Sequence, residues 1–220
     1  AEVQGEFAAK GTEQAFVFIH GFNTSFEDAA RRTAQIAYDL ELPVVPLMYS
    51  WPSRGRPDPK SYVTDETNVE WTEPHLEAFM TGVAKNNGGK RVHIIAHSMG
   101  NRALTKVIQR VTQNLSRDVA NPAFHRIFLA APDIDAEVFG RLSSAFSGSG
   151  SSVTLYAAAD DRVLWASHYI HSYPRAGEIR SNSYAYAQQV VGNVVDSLRR
   201  LTQTVEQDRA QLEQHPPDAG

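Results

Sequence analysis

Short apolar runs alternate along the chain with segments whose apolar residues recur every three or four positions. The runs read as strands buried on both faces and the segments as amphipathic helices, the sequence form of a parallel sheet covered by helices. Ala15–Ile19 (AFVFI) is the first strand. Phe26–Leu40 follows as a helix, with Phe26, Ala29, Ala30, Ile36, Ala37 and Leu40 at helical spacing behind Ser25 as N-cap. Val44–Tyr49 is the next strand and runs into the aromatic loop Ser50–Trp51–Pro52. Val69–Ala84 is expected to be helical, bent or started by Pro74, and Asn86-Asn87-Gly88-Gly89 to turn. Val92–Ala96 is a buried strand, and Asn101–Asn114 a helix with Leu104, Val107, Ile108 and Val111 on one face. His125–Ala130, with Ile127–Ala130 as its apolar part, and Val153–Ala159 are two further strands, separated by the Gly/Ser-rich loop Ser143–Ser152.

The expected fold class is therefore α/β, a doubly wound, mainly parallel sheet with helices on both faces. Residues 1–205 are read as one domain and 206–220 as a polar C-terminal helical end and tail. Val191, Val194, Val195, Leu198, Leu201, Val205 and Leu212 form a helical stripe, read as a last helix packed on the sheet. The same stripe is the one seam for a weak homodimer, the alternative to a monomer. Pro216-Pro217 ends any helix there.

Composition narrows the function. Twenty-one Lys and Arg against 25 Asp and Glu give a formal net charge of −4, which argues against a nucleic-acid partner. No cysteine is present, so there is no disulfide, thiol nucleophile or thiolate metal site. The histidines show no ligand spacing beside carboxylates, and neither metal nor cofactor is expected. No apolar run reaches the ~18 residues of a membrane span. The chain starts at Ala1 without an apolar leader, and both a cytoplasmic and an exported location stay open.

The chemistry concentrates at Ala96-His97-Ser98-Met99-Gly100, between a buried strand and an amphipathic helix. That is the context of a nucleophile elbow, whose turn is so tight that small residues are needed two before and two after the serine. Ala96 and Gly100 meet that need, with Ala in place of the usual first Gly. Ser98 is the expected nucleophile, rather than a helix cap alone. The Met99 N–H, at a helix N-terminus, is one expected oxyanion donor. The loop His20-Gly21-Phe22-Asn23 after the first strand supplies the other from Phe22, with Gly21 allowing close approach and His20 orienting the loop. Gly21 and Trp51 are expected at the substrate, while His93 and His97 read as satisfied core histidines. Arg54, Arg56 and Lys60, in the loop Ser53–Lys60, are placed near the mouth of the site, where a solvated rim and an attraction for acidic substrate are both open.

HGFNTSFEDAARR, YSWPSRG with the later Tyr62 and Asp65, VHIIAHSMGNRAL, FLAAPDID and DDRVLWAS…YPRAGE together resemble an uncharacterised family of bacterial α/β-hydrolases, over roughly Ala15–Glu178. The resemblance implies the α/β-hydrolase fold and a Ser-His-Asp type of site. The acid is expected after a later strand, and the family pattern favours Asp161 over Asp160, with Asp133 and Asp135 as alternatives read as loop and helix-capping residues. The family's histidine lies in a late His-Ser-Tyr segment, where this chain has Asn182-Ser183-Tyr184. An amide cannot take the Ser98 proton. His168 and His171 follow the acid, but on a regular helix they lie about 10 and 15 Å along its axis from Asp161, where ~3 Å is needed. A bend at Tyr173-Pro174 brings His171 into consideration. Two readings follow: a serine hydrolase acting on small-molecule esters, or a non-catalytic binding or scaffold protein on the same fold.

Overall fold

A computed structural model describes residues 2–41, 43–115, 123–140, 152–157, 167, 173 and 175–177 of the chain. In chain order its elements are α1 (Glu2–Lys10), β1 (Gln14–Ile19), α2 (Phe26–Asp39), β2 (Val45–Tyr49), α3 (Pro59–Trp71), α4 (Glu73–Asn86), β3 (Arg91–His97), α5 (Gly100–Asn114), β4 (Arg126–Ala130) and β5 (Ser152–Tyr156). The five strands form one sheet in the order β2-β1-β3-β4-β5, every pair parallel. All five expected strands are present, so the α/β reading with a parallel sheet holds.

Strand β1 is covered on both faces, and its alternation divides the core. Ala15, Val17 and Ile19 join Val92, Ile94 and Ala96 of β3 in the larger cluster. There they meet Leu76, Met80 and Ala84 of α4 and Leu104, Val107, Ile108 and Val111 of α5. Phe16 and Phe18 point the other way and pack with Val44, Ile36 and Ala37 under α2. Period two in the strand and period 3.6 in the helices make these faces meet.

Local signals fix the helix ends. Ser25 caps α2 by accepting the Asp28 N–H at 3.1 Å, and its hydroxyl donates to the Asp28 carboxylate at 2.6 Å. Asp58 caps α3 through the Ser61 N–H at 3.0 Å, with Pro59 at the first helical position. The single helix expected over Val69–Ala84 is two helices that break at Thr72. Pro74 sits in the first turn of α4, where its missing N–H costs nothing. Two helices were not expected at all. One is α1. The other is most of α3, whose buried residues are Ser61, Tyr62, Asp65 and Val69, three of them polar. Lys60, read as loop, lies in the first turn of α3.

The connections set the place of the site. From β1 the chain moves one way across the sheet to β2, then crosses back to β3 and continues outward through β4 and β5. The order therefore reverses between β1 and β3, and in open parallel sheets the crevice outside the carboxyl ends at that reversal is where ligands bind. The loop from His20 and the turn at Ser98 are the two segments that leave those two strands there.

Candidate active site

Ser98 follows β3 directly and lies at φ 49°, a left-handed backbone that costs a side-chain-bearing residue energy. The surroundings hold it there. Its N–H donates to Ala130 O at 2.9 Å, extending the ladder to β4. Its carbonyl accepts from the Asn101 N–H at 3.1 Å, the Asp133 N–H at 3.3 Å and the Asn101 side-chain amide at 3.1 Å. That amide also reaches Ala96 O at 3.2 Å and Ala130 O at 3.3 Å, so one buried Asn gathers three carbonyls around the turn. Ser98 itself is only 6 % exposed. Among the described residues no side chain hydrogen-bonds its hydroxyl.

Two glycines explain how the β1 loop can lie against this turn. A Cβ on Gly21 would stand 2.8 Å from Ser98 Cβ and 2.9 Å from His97 Nδ1. A Cβ on Gly100 would stand 2.4 Å from His20 O and 3.0 Å from Ile19 O. Both are closer than side-chain atoms pack, so the two segments meet through bare backbone. Phe22 lies beyond the last ladder pairs of β1, which end at Ile19. Its ring meets Tyr62 edge-on at 5.1 Å. Met99, which follows Ser98, is fully buried at the head of α5.

His20 orients its loop through both ring nitrogens. Nε2 accepts the Trp51 N–H at 3.1 Å and meets Ser50 Oγ at 3.2 Å, which leaves Nδ1 to donate to Gly21 O at 2.9 Å. Burial holds its pKa below the usual imidazole value, so the ring stays neutral. Trp51 stacks on it at 5.0 Å and 13° and donates from Nε1 to His20 O at 2.7 Å. Trp51 is 2 % exposed and lies beneath the site, where it supports His20. Asp65 anchors the loop after β2, accepting Ser53 Oγ at 2.7 Å and the Arg54 N–H at 2.9 Å.

The segment after β4 carries a buried ionic cluster. Asp133, fully buried, has both oxygens occupied. Oδ2 accepts from Tyr62 OH at 2.6 Å and Arg102 Nη2 at 3.1 Å, and Oδ1 accepts from Ser167 Oγ at 2.6 Å with Arg175 Nε 3.3 Å away. Arg102 is further bound by Glu66 and by Tyr62 OH. Burial alone would raise the Asp133 pKa, but the two guanidiniums and the two hydroxyls outweigh it and hold the carboxyl below its ordinary range. Burial and the neighbouring Asp133 charge push the Tyr62 phenol well up. Asp133, read from sequence as a loop residue, thus has both oxygens engaged within this cluster. Asp135 does cap the next turn, accepting the Glu137 and Val138 N–H groups at 3.0 Å.

Histidines 93 and 97 part company. His93 is half-buried near the start of β3 and meets Gln14 at 3.3 Å and the His125 ring at 5.6 Å. Desolvation and that neighbour lower its pKa to about 4. His97, expected in the core, is instead exposed and lines a cleft of about 500 Å³ with Phe18, Gly21 and residues of α2. Arg54, Arg56 and Lys60 do not line it; Arg31 and Arg32 do. Of the remaining sequence-predicted residues, Asp160, Asp161, His168, His171 and Asn182 lie outside the described residues. Among the described residues no group of three or more His, Asp or Glu is arranged to hold a metal ion, and no helix is long and apolar enough to cross a membrane.

A family model described as alpha/beta hydrolase of unknown function (DUF900) matches residues 1–214. A search of the curated proteins returns no match. Among solved structures, the chain is similar to phospholipase PlaB from Legionella pneumophila in complex with thio-NAD. The TM-score is 0.45 and the identity 14 %, over 74 % of this chain and 43 % of that one. Another structure of the same phospholipase gives a TM-score of 0.37 and 10 % identity, over 69 % of this chain and 41 % of that one. The chain thus spans about two fifths of the length of the protein in those structures.

Proposed function

The chain belongs to this α/β-hydrolase family, and on that premise we propose that it is a serine hydrolase that cleaves carboxylic esters through an acyl-enzyme on Ser98. The observation that carries the reading is the left-handed backbone of Ser98 in a turn between a parallel strand and a helix, at the point where strand order reverses. A serine that only capped α5 would not need a strained backbone, nor a glycine pressed against its Cβ.

In the proposed reaction the Ser98 hydroxyl attacks the ester carbonyl carbon while its proton passes to a histidine. The carbonyl oxygen becomes an oxyanion facing the Phe22 and Met99 N–H groups, which contribute most when aimed at it before the reaction. Collapse breaks the ester bond, the histidine returns the proton to the departing alcohol, and water then releases the acid from Ser98. Asp161 is proposed to orient the base, and His171 is the candidate base. His20 is excluded from that role because both its nitrogens are engaged.

A second reading is favoured by one residue. Asn182 stands where the resemblance places an imidazole, which fits a binding or scaffold protein that has lost its base. Fluorophosphonate labelling and hydrolysis of short 4-nitrophenyl esters decide between the two. Labelling that disappears in Ser98→Ala, with turnover falling by orders of magnitude, supports the hydrolase. Absence of labelling in the wild-type chain, with turnover appearing in Asn182→His, supports the substituted relative.

A further inference from the structure

The cleft of about 500 Å³ beside the nucleophile turn has walls of opposite kinds. On one side α2 presents Asp28, Arg31, Arg32 and Gln35, spaced i, i+3, i+4 and i+7, which is one continuous face of a helix. The adjoining apolar face of the same helix packs Ile36 and Ala37 on Phe16 and Phe18. This polar stripe therefore borders a cavity rather than only open solvent. Across the cleft lie Gly21, which leaves no room for a Cβ beside Ser98, and His97, which precedes Ser98 in the chain, and Phe18 lines it as an apolar element.

Two cations share this wall with one anion. The Asp28 carboxylate accepts the Ser25 hydroxyl at the α2 cap and keeps its charge near Arg31. Arg31 pairs with Glu27, but both side chains are more than 70 % exposed, where such a pair is screened and easily given up. Arg32 has no ion pair among the described residues. His20, although at the wall, offers no donor because Nδ1 is spent on Gly21 O. In a chain of net charge −4, two guanidiniums thus stand on this wall, Arg31 beside the exposed Glu27 and Arg32 without an ion pair among the described residues.

Resting on the hydrolase reading, we propose that this cleft binds an anionic group of the substrate, a phosphate or a carboxylate, through Arg32 and Arg31, with the ester carbon then at Ser98. The fork of a guanidinium matches either group. The cavity is of the size that takes a small ligand with a few convergent polar groups.

Two measurements on the full chain test it. The first needs no turnover: calorimetric binding of phenyl phosphate to the wild-type chain, to Ser98→Ala and to Arg31→Gln/Arg32→Gln. Binding is expected in the first two forms and at least about tenfold weaker in the third, the effect of losing a charge-assisted contact. The second is the ratio of kcat/KM for 4-nitrophenyl hemiglutarate to that for 4-nitrophenyl butyrate. It is expected to fall about tenfold in the Arg31/Arg32 variant. It is expected to hold in Arg54→Gln/Arg56→Gln, which changes the same charge outside the cleft. Phenyl phosphate binding that is absent, or equal in the Arg31/Arg32 variant, overturns the proposal. So does an equal fall for both esters, or a ratio that falls as far in the Arg54/Arg56 variant. If no form hydrolyses either ester while phenyl phosphate still binds through the arginines, the Ser98 reading fails and the anion site stands.

Discussion

Replacing Asp133 by Asn keeps the shape of the side chain and removes the charge on which two buried guanidiniums depend. Arg102 keeps Glu66 in the variant, but among the described residues Arg175 has no other acid, and it is 5 % exposed. One of the two amide positions must also become a donor, facing either Tyr62 OH and Arg102 or Ser167 and Arg175. Removing one partner of a buried pair costs about 3–5 kcal/mol, because an uncompensated charge is left behind. Against a total of about 5–15 kcal/mol for a folded domain, this is a large fraction. Urea titration at neutral pH should show the stability falling by that amount, and the midpoint by that amount divided by an unchanged m value. The acid limb gives an independent check. The Asp133 pKa is lowered in the folded chain, so its stabilisation is full above the unfolded carboxylate value near 4 and is lost as pH falls through the lower folded value. Wild-type and variant stabilities should therefore converge as pH drops below about 4. A loss under about 1 kcal/mol at neutral pH, where even one ordinary hydrogen bond is worth that much, would refute this account.

Gly100→Ala places a methyl 2.4 Å from His20 O, a backbone atom that cannot swing away, and should lower both stability and the rate of fluorophosphonate labelling at Ser98. Ser98→Gly should do the opposite to stability, raising it by about 1 kcal/mol as the φ 49° strain is relieved, while labelling is lost; an unchanged melting midpoint argues against stored strain. His20 and His93 both have folded pKa values below the unfolded value of about 6.5, so the unfolded chain binds protons first. Stability measured by urea titration should be level above pH ~6.5 and decline from there toward pH ~4, and a flat profile across that window would remove both assignments.

The strands were legible because their burial on both faces leaves continuous apolar runs such as AFVFI, and the tight turn at Ser98 because small residues flank a serine after such a run. Helix α3 was not. It turns Ser61, Tyr62 and Asp65 inward, and hydrophobic periodicity has nothing to register where the buried face is polar. The partners of Asp133 lie 31 to 71 positions away, in α3 and α5 and beyond β5, a separation that spacing along the chain cannot encode. His97 was misplaced for a related reason: as the last residue of β3 it inherits the strand's apolar context in sequence, yet it stands at the open edge in space. Arg54 and Arg56, in the loop rich in Arg and Pro, do not line the cleft, whereas Arg31 and Arg32 do, and on α2 these read as ordinary residues of a helix surface. One signal did point to Arg31 and Arg32: with Asp28 and Gln35 they form a polar stripe at helical spacing, beside the apolar face of Ile36 and Ala37.

The backbone interlock of Gly21 with Ser98 and of Gly100 with His20 has a consequence for how the protein can change. Neither segment can shift without carrying the other, so the spacing between the nucleophile position and the Phe22 amide is set when the chain folds and is not readjusted for each ligand. Lineages that acquire new substrates cannot do so by altering either glycine. The adjustable part is the outer face of α2, which borders the cleft without being wedged into the turn. Variation among relatives should accordingly pool at positions 28, 31, 32 and 35, around a pair of loops that evolution has little room to edit.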